Sequence, residues 1–382
     1  MHLPFGLASC KSNVDDVPTV TPQKSAGSIS YATTSVEKKT ADEAFTNALT
    51  KTGDGTVSYA SSKTDVATVN ASTGEVTIVG AGTATITATV ADSDTYTYAT
   101  KTASYTLTVT QSVTIPEGFV KVSGTTITGS ETWTPSSSVF VSGRSLTIPD
   151  LYVCDHEVTR GEFKTLMGTD PSTASAYDKD GTKLTGDDVL NNPVNYVNWY
   201  AAIAYCNKLS VKEGLNCAYT VSGITDWENL AYSSIPTSSN DTWNAATCNF
   251  EASGYRLPTE AEWEWLARGG ENYTYSGSNT IDDVAWYTSN TNDTGSREVK
   301  TKAANAYGLY DMSGNVWEWC WDWYGSITSS SGASGASSGN YRVLRGGSWY
   351  YSASFCGVAI RGGDYPSVRN DFLGFRLVRS AQ

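Results

Sequence analysis

YGLYDMSGNVWEWCWDWY, running from Tyr307 to Tyr324, is the stretch whose reading decides the fold of the C-terminal two thirds of this 382-residue chain. Its second half sets Trp317, Trp319, Trp321 and Trp323 at alternate positions, with Glu318, Cys320 and Asp322 between them. A period of two is that of a strand, and it divides the tryptophans from their neighbours across the two faces. Such a row can either stack sugars or pack a core. All 12 tryptophans lie after residue 113, so the character of the chain changes there.

Upstream of this stretch, three segments carry helical spacing. The first has Thr159 as a cap with Glu162 three residues on, and Phe163, Leu166 and Met167 on one face. The second, Asn198 to Ser210, has Trp199, Ile203, Cys206 and Leu209 at helical spacing, and both read as core helices. The third starts at Pro258-Thr259 and runs to a glycine stop at Gly269-Gly270. Beyond Gly270 the chain reads as loops and short strands, so residues 113–382 form an α+β domain with much irregular backbone. Before residue 113 the pattern is all-β: Thr56–Tyr59, Val66–Val69, Glu75–Val79, Thr83–Ala88 and Tyr105–Val109 alternate apolar residues with Thr or Ser, separated by glycine turns. That spacing predicts a small sandwich over residues 26–112.

Composition narrows the function. With 26 Lys+Arg against 39 Asp+Glu the formal net charge is -13, and no basic cluster exists to neutralise phosphates, which excludes nucleic acid as a partner. Only 17% of residues are charged, while Ser, Thr, Gly and Tyr abound, as in extracellular β-rich proteins. Leu7-Ala8-Ser9-Cys10 reads as a lipobox, so Cys10 is the candidate lipidation site and the membrane a partner through that lipid; residues 1–25 then form a signal remnant and linker. The stretch before it has too few apolar residues for a signal core, so a working signal requires an upstream extension; a chance cysteine is the alternative. No apolar run is long enough for a transmembrane helix. The other six cysteines either pair as disulfides or stay buried as free thiols.

Two resemblances add to this reading. SYASSKTDVATVNASTGEVTIVGAGTATITATV, within residues 26–112, resembles the bacterial Ig-like group 2 family, which implies a spacer or stalk. CDHEVTRGEF, PVNYVNWYAAIAYCNKLSVKEGL, GYRLPTEAEWEWLARGG, YGLYDMSGNVWEWCWDWY and RVLRGGSWYY...LGFRLVRS stand in the order found in the formylglycine-generating-enzyme (sulfatase-modifying-factor) family. That resemblance implies a C-type-lectin-like fold, with Gly346-Gly347-Ser348 leading to the functional surface and Leu373–Leu377 returning to the core sheet. It also implies that the tryptophan row is core.

In the family's enzymes two cysteines just after Gly-Gly-Ser bind copper, and that pair falls on Tyr351 and Cys356 here. A phenol cannot supply the second soft ligand for Cu(I). No catalytic residue or catalytic cofactor is therefore expected, the alternative being a residual copper oxidase acting on cysteine. His156, one of two histidines with His2, reads as a solvated or structurally bonded side chain. The resemblance further implies a structural calcium held by Asp311, Gly314, Val316 and Glu318; a metal-free core turn is the alternative.

The stretch YYSASFCGVAIRGGDYPSVRNDF, Tyr350 to Phe372, resembles the variable proteins of spirochaete diversity-generating retroelements. Adenine randomisation of an Asn codon never yields Lys, Glu, Gln, Met or Trp, and none of these occurs in the stretch. Tyr, Ser, Gly, Asp and Asn are also the residues of antibody loops. The ligand-binding residues expected are Tyr350, Tyr351, Ser352, Ser354, Phe355, Gly357, Ile360, Gly362, Gly363, Asp364, Tyr365, Ser367, Val368, Asn370, Asp371 and Phe372. The expectation is a lipid-anchored receptor or adhesin on the cell surface or outer membrane, taking a protein or glycan ligand on this face.

Overall fold

The computed structural model describes residues 22–110 and 115–381, and the chain divides into two compact units between Val113 and Thr114. Cys10 and His2 lie outside the described residues.

Among its described residues the N-terminal unit has strands and no helix. Its longest sheet runs in the order Ser35–Lys39, Thr102–Thr110, Gly82–Val90, Val57–Ser61, and two three-stranded sheets complete it. Ala84, Ile86, Ala88 and Val90 point inward and the threonines between them outward, so the alternation in sequence becomes one face of a core that also holds Tyr105 and Leu107. Each of the five segments expected as strands contributes to one. The unit has five further strands, Ser25–Tyr31, Ser35–Lys39, Phe45–Thr46, Leu49–Thr52 and Tyr96–Tyr98, which the sequence pattern does not mark because they are short or lack a clean apolar alternation.

In the C-terminal unit, the strands Phe119–Val122, Leu151–Cys154 and Val378–Ser380 form one antiparallel sheet, which joins the beginning and end of the unit. A second sheet has the order Arg361–Asp364, Arg342–Arg345, Trp317–Trp323, Leu373–Gly374. Leu373–Gly374 pairs in parallel with Trp317 and Glu318, so the chain does return to this sheet after the 350–372 excursion.

The three expected helices form, the first with its expected Thr159 cap and the third with its expected glycine stop. Arg160–Met167 and Glu260–Arg268 each begin with a complete capping box, Thr159/Glu162 and Thr259/Glu262, and each stops at a left-handed glycine, Gly168 and Gly269. Trp199–Lys212 is capped by Asn198, whose side chain accepts from the Ala201 amide. As a core helix it buries every side from Trp199 to Asn207, because other elements pack all round it. The tryptophan strand is likewise covered on both faces, with Trp317, Glu318, Trp319 and Cys320 all buried and Trp321 stacked on Tyr219 at 5.1 Å. The indole N–H of Trp319 donates to the Val197 carbonyl, so the row packs the core. The six described cysteines are free thiols.

Candidate ligand-binding face

Residues 346–360 form an excursion between two paired strands, Arg342–Arg345 and Arg361–Asp364, so both ends of the loop are fixed by one sheet. Gly346 and Gly347 both adopt left-handed backbone. A Cβ on Gly347 would stand 2.7 Å from the Cys356 sulfur, which is why the turn requires glycine. Cys356 is buried under this turn, and burial pushes its thiol up to about 12.

Beneath the loop lies a charged layer that the sequence concealed. Glu260 and Glu264, one turn apart on the Glu260–Arg268 helix, are both buried. Glu264 accepts from Arg268 at 2.8 Å and from Arg345 at 2.6 Å, and Glu260 accepts from Arg361 at 2.6 and 2.7 Å. Arg345 also donates to the carbonyls of Val358 and Ile360. The far end of the loop is thereby tied to the helix by charge-assisted hydrogen bonds.

On this base the expected ligand-binding residues divide. Tyr350, Ser352, Ser354, Phe355, Gly363 and Tyr365 are exposed. Tyr351, Ile360, Gly362, Asp364, Ser367, Val368, Asn370, Asp371 and Phe372 are half-buried, and Tyr351, Ile360, Val368 and Phe372 also pack on the core. Gly357 is buried; it lines a cavity of about 220 Å³ together with Tyr273, Tyr275, Ser354 and Ile360. Tyr350 stacks on Phe372 with centroids 6.0 Å apart, and Tyr351 meets Phe355 edge-on at 5.2 Å over Trp317 at 5.7 Å. The result is an aromatic patch resting on buried tryptophan.

Residues outside the 350–372 stretch also line this face. Tyr341 packs against Tyr365 at 4.6 Å, Tyr324 lies over Gly363, and the Asn272–Tyr275 segment walls the cavity. Nothing local marks them, since their place on this face comes from strand pairing and loop packing. Tyr273, Tyr324 and Tyr341 are large, exposed side chains, and that is a property only of the folded chain.

The two metal sites implied by the resemblance fare poorly as geometry. Tyr351 places a ring beside Phe355 where a second thiolate would be required, and the Cys356 sulfur faces the Ser352 carbonyl at 3.8 Å, so these residues do not fit a two-thiolate copper site. At the calcium segment, both oxygens of Glu318 are taken by Arg376 at 2.7 to 2.9 Å, and one also accepts from the Trp263 indole at 2.7 Å. The Val316 amide donates to Glu157, which also accepts from Asn315 and so laces the turn shut. Asp311 accepts from the Lys300 amide and keeps one unpartnered buried oxygen, and burial pushes its carboxyl up to about 6. With Glu318 committed to Arg376, the set Asp311, Gly314, Val316 and Glu318 does not fit calcium, and no group of three or more His, Cys, Asp or Glu is arranged for a metal among the described residues.

His156 is structurally bonded, 2.5 Å from Asp155 and 3.4 Å from Glu162. Burial opposes its charge, but Cys154, Asp155 and Glu162 outweigh it and push the imidazole up to about 12.

Comparison with known proteins agrees with this architecture. The intimin immunoglobulin-like domain matches residues 46–92, within the N-terminal unit. Treponema denticola variable protein 1 superposes with a TM-score of 0.61 and 38% identity, over 69% of this chain and 94% of that one. Chaperone protein LppX of Paenibacillus barcinonensis is 34% identical over 258 residues, 63% of this chain and 83% of its own length. The formylglycine-generating enzyme of Streptomyces coelicolor is 36% identical over 161 residues, 36% of this chain, and only 51% of the enzyme is spanned. The sulfatase-modifying factor enzyme 1-like domain matches residues 97–381, and the chain belongs to that family, with a C-type-lectin-like α+β domain that follows an Ig-like sandwich in sequence.

Proposed function

We propose that the C-terminal unit is a non-catalytic ligand-binding module, and that the Ig-like unit serves as its stalk at a cell surface, anchored through a lipid on Cys10. One observation carries this reading: the position of the first copper cysteine is Tyr351, and that phenol is part of an aromatic patch with exposed Tyr350 and Phe355. Tyrosine on a rigid base offers broad contact area at small entropic cost, while Ser352 and Ser354 supply adaptable hydrogen bonds. The 38% identity to a protein named for its variability supports a diversified face; its ligand in this reading is a protein or a glycan.

Two measurements test this. Clones selected from a phage-displayed peptide or glycan array should lose binding to the Tyr350→Ala/Phe355→Ala double variant; clones indifferent to both residues would defeat the reading. A copper-supplied thiol-oxidation assay on a cysteine-containing peptide should give no turnover. Turnover abolished by Cys356→Ser would instead establish the rival, a copper oxidase like the formylglycine-generating relatives.

A further inference from the structure

Beside the aromatic patch, the 346–360 excursion walls one side of the cavity of about 220 Å³, and the Asn272–Tyr275 segment walls another. Gly357 and Val358 are buried, Ala353 and Ile360 half-buried, and Tyr273 and Ser354 exposed, so the cavity runs from the core to solvent. The walls are tied to each other and to their surroundings. The Val358 amide donates to the Thr274 carbonyl at 3.0 Å, and the Thr274 amide donates to Asn279 at 2.9 Å. The carbonyls of Val358 and Ile360 accept from Arg345, and that of Ala359 accepts from Ser138 at 2.6 Å. These main-chain acceptors therefore already have partners within the protein. Among the described residues no charged side chain lines the cavity.

Size and chemistry together select the occupant. A dry apolar cavity of about 150 Å³ holds benzene, whereas pockets for small-molecule ligands measure about 300–1,000 Å³. The space thus suits one aromatic side chain and is too small for a whole small-molecule ligand. A charged side chain entering it would give up water and meet no counter-charge, and the hydroxyls of a sugar would meet carbonyls that are already bonded. Tyr273 and Tyr275 line the cavity, and tyrosine rings offer edge-on contacts to another ring. We propose that this cavity is the anchor pocket of the ligand-binding face, and that it takes an uncharged aromatic side chain, phenylalanine by size, from a protein partner. The assignment rests on the reading of this face as a binding surface and narrows its ligand to a protein. Pocket and patch are continuous through the single turn Ala353–Phe355: Phe355 meets Tyr351, while Ala353 and Ser354 line the cavity. A side chain seated in such a pocket, ringed by flatter contacts, supplies much of the energy of an interface.

The test uses the full chain with methyl-labelled alanine and isoleucine, titrated by NMR with the N-acetyl amides of phenylalanine, alanine, lysine and tryptophan and with a methyl glycoside. The Ala353 and Ile360 methyls should report phenylalanine binding about tenfold tighter than alanine, with lysine no tighter than alanine. Tyr273→Ala trims an exposed ring and should bring phenylalanine within about twofold of alanine. Ile360→Ala widens the cavity and, read at the Ala353 methyl, should move the preference from phenylalanine to tryptophan, a gain that a damaged fold would not give. No methyl shift, equal or tighter binding of lysine or the glycoside, or an unchanged order of preference in either variant would overturn the assignment. Such a failure is separable from failure of the binding reading, because the selected clones would still depend on Tyr350 and Phe355.

Discussion

Arg376 grips both carboxylate oxygens of Glu318 in a site from which water is excluded, 58 residues away in sequence and with the Trp263 indole closing the remaining direction. This pair joins the last segment of the chain to the tryptophan strand. The arginine's charge has no escape to solvent, so the two groups stand or fall together.

Glu318→Gln should therefore cost about 3–5 kcal/mol, as expected when one partner of a buried pair is removed. Urea denaturation measures it, and a loss below about 1 kcal/mol would show that Arg376 finds another partner. Because Glu318 is committed, adding about 1 mM calcium should leave Tm within about 1 °C. A rise of several degrees, reversed by chelator, would show that the turn does take the ion.

Gly347→Ala should destabilise by about 1–3 kcal/mol, since it combines a left-handed backbone with a Cβ driven against Cys356. The double variant Gly347→Ala/Cys356→Ala should recover part of that loss if the sulfur contact contributes. No recovery would assign the whole cost to the backbone.

His156 should remain protonated well above neutrality. Its folded pKa is raised above the ordinary value, so the stability it contributes is complete below about pH 6.5 and fades as pH climbs toward about 12. The stability gap between wild type and His156→Gln should narrow above about pH 7, and the imidazole NMR signal should stay flat to about pH 9. A ring titrating near pH 6.5 would contradict the arrangement with Asp155 and Glu162.

Tyr350→Ala/Phe355→Ala should change unfolding stability by less than about 1 kcal/mol, because both rings are half in solvent, while removing ligand capture. A large stability loss would mean that the patch is a structural cap over Phe372 and Trp349.

The sequence by itself determined the local elements. Capping boxes at Thr159 and Thr259, the stop at Gly269 and the Thr-alternating strands are short-range patterns, and each formed where its residues required. Through the family resemblance it also set Tyr351 and Cys356 at the positions where the enzymes carry their cysteine pair, since that needs only a motif and a spacing. Tertiary structure alone decided the rest. Glu260, Glu264 and Glu318 look like solvated positions on a helix and a strand, yet they are buried because Arg361, Arg345 and Arg376 reach them from 58 to 101 residues away. Tyr341 joins Tyr365 on one surface because two strands pair, and Gly357 sinks beneath the face that its neighbours line. Periodicity reports which side of its own element a residue occupies; what covers that side depends on which distant segments pack there.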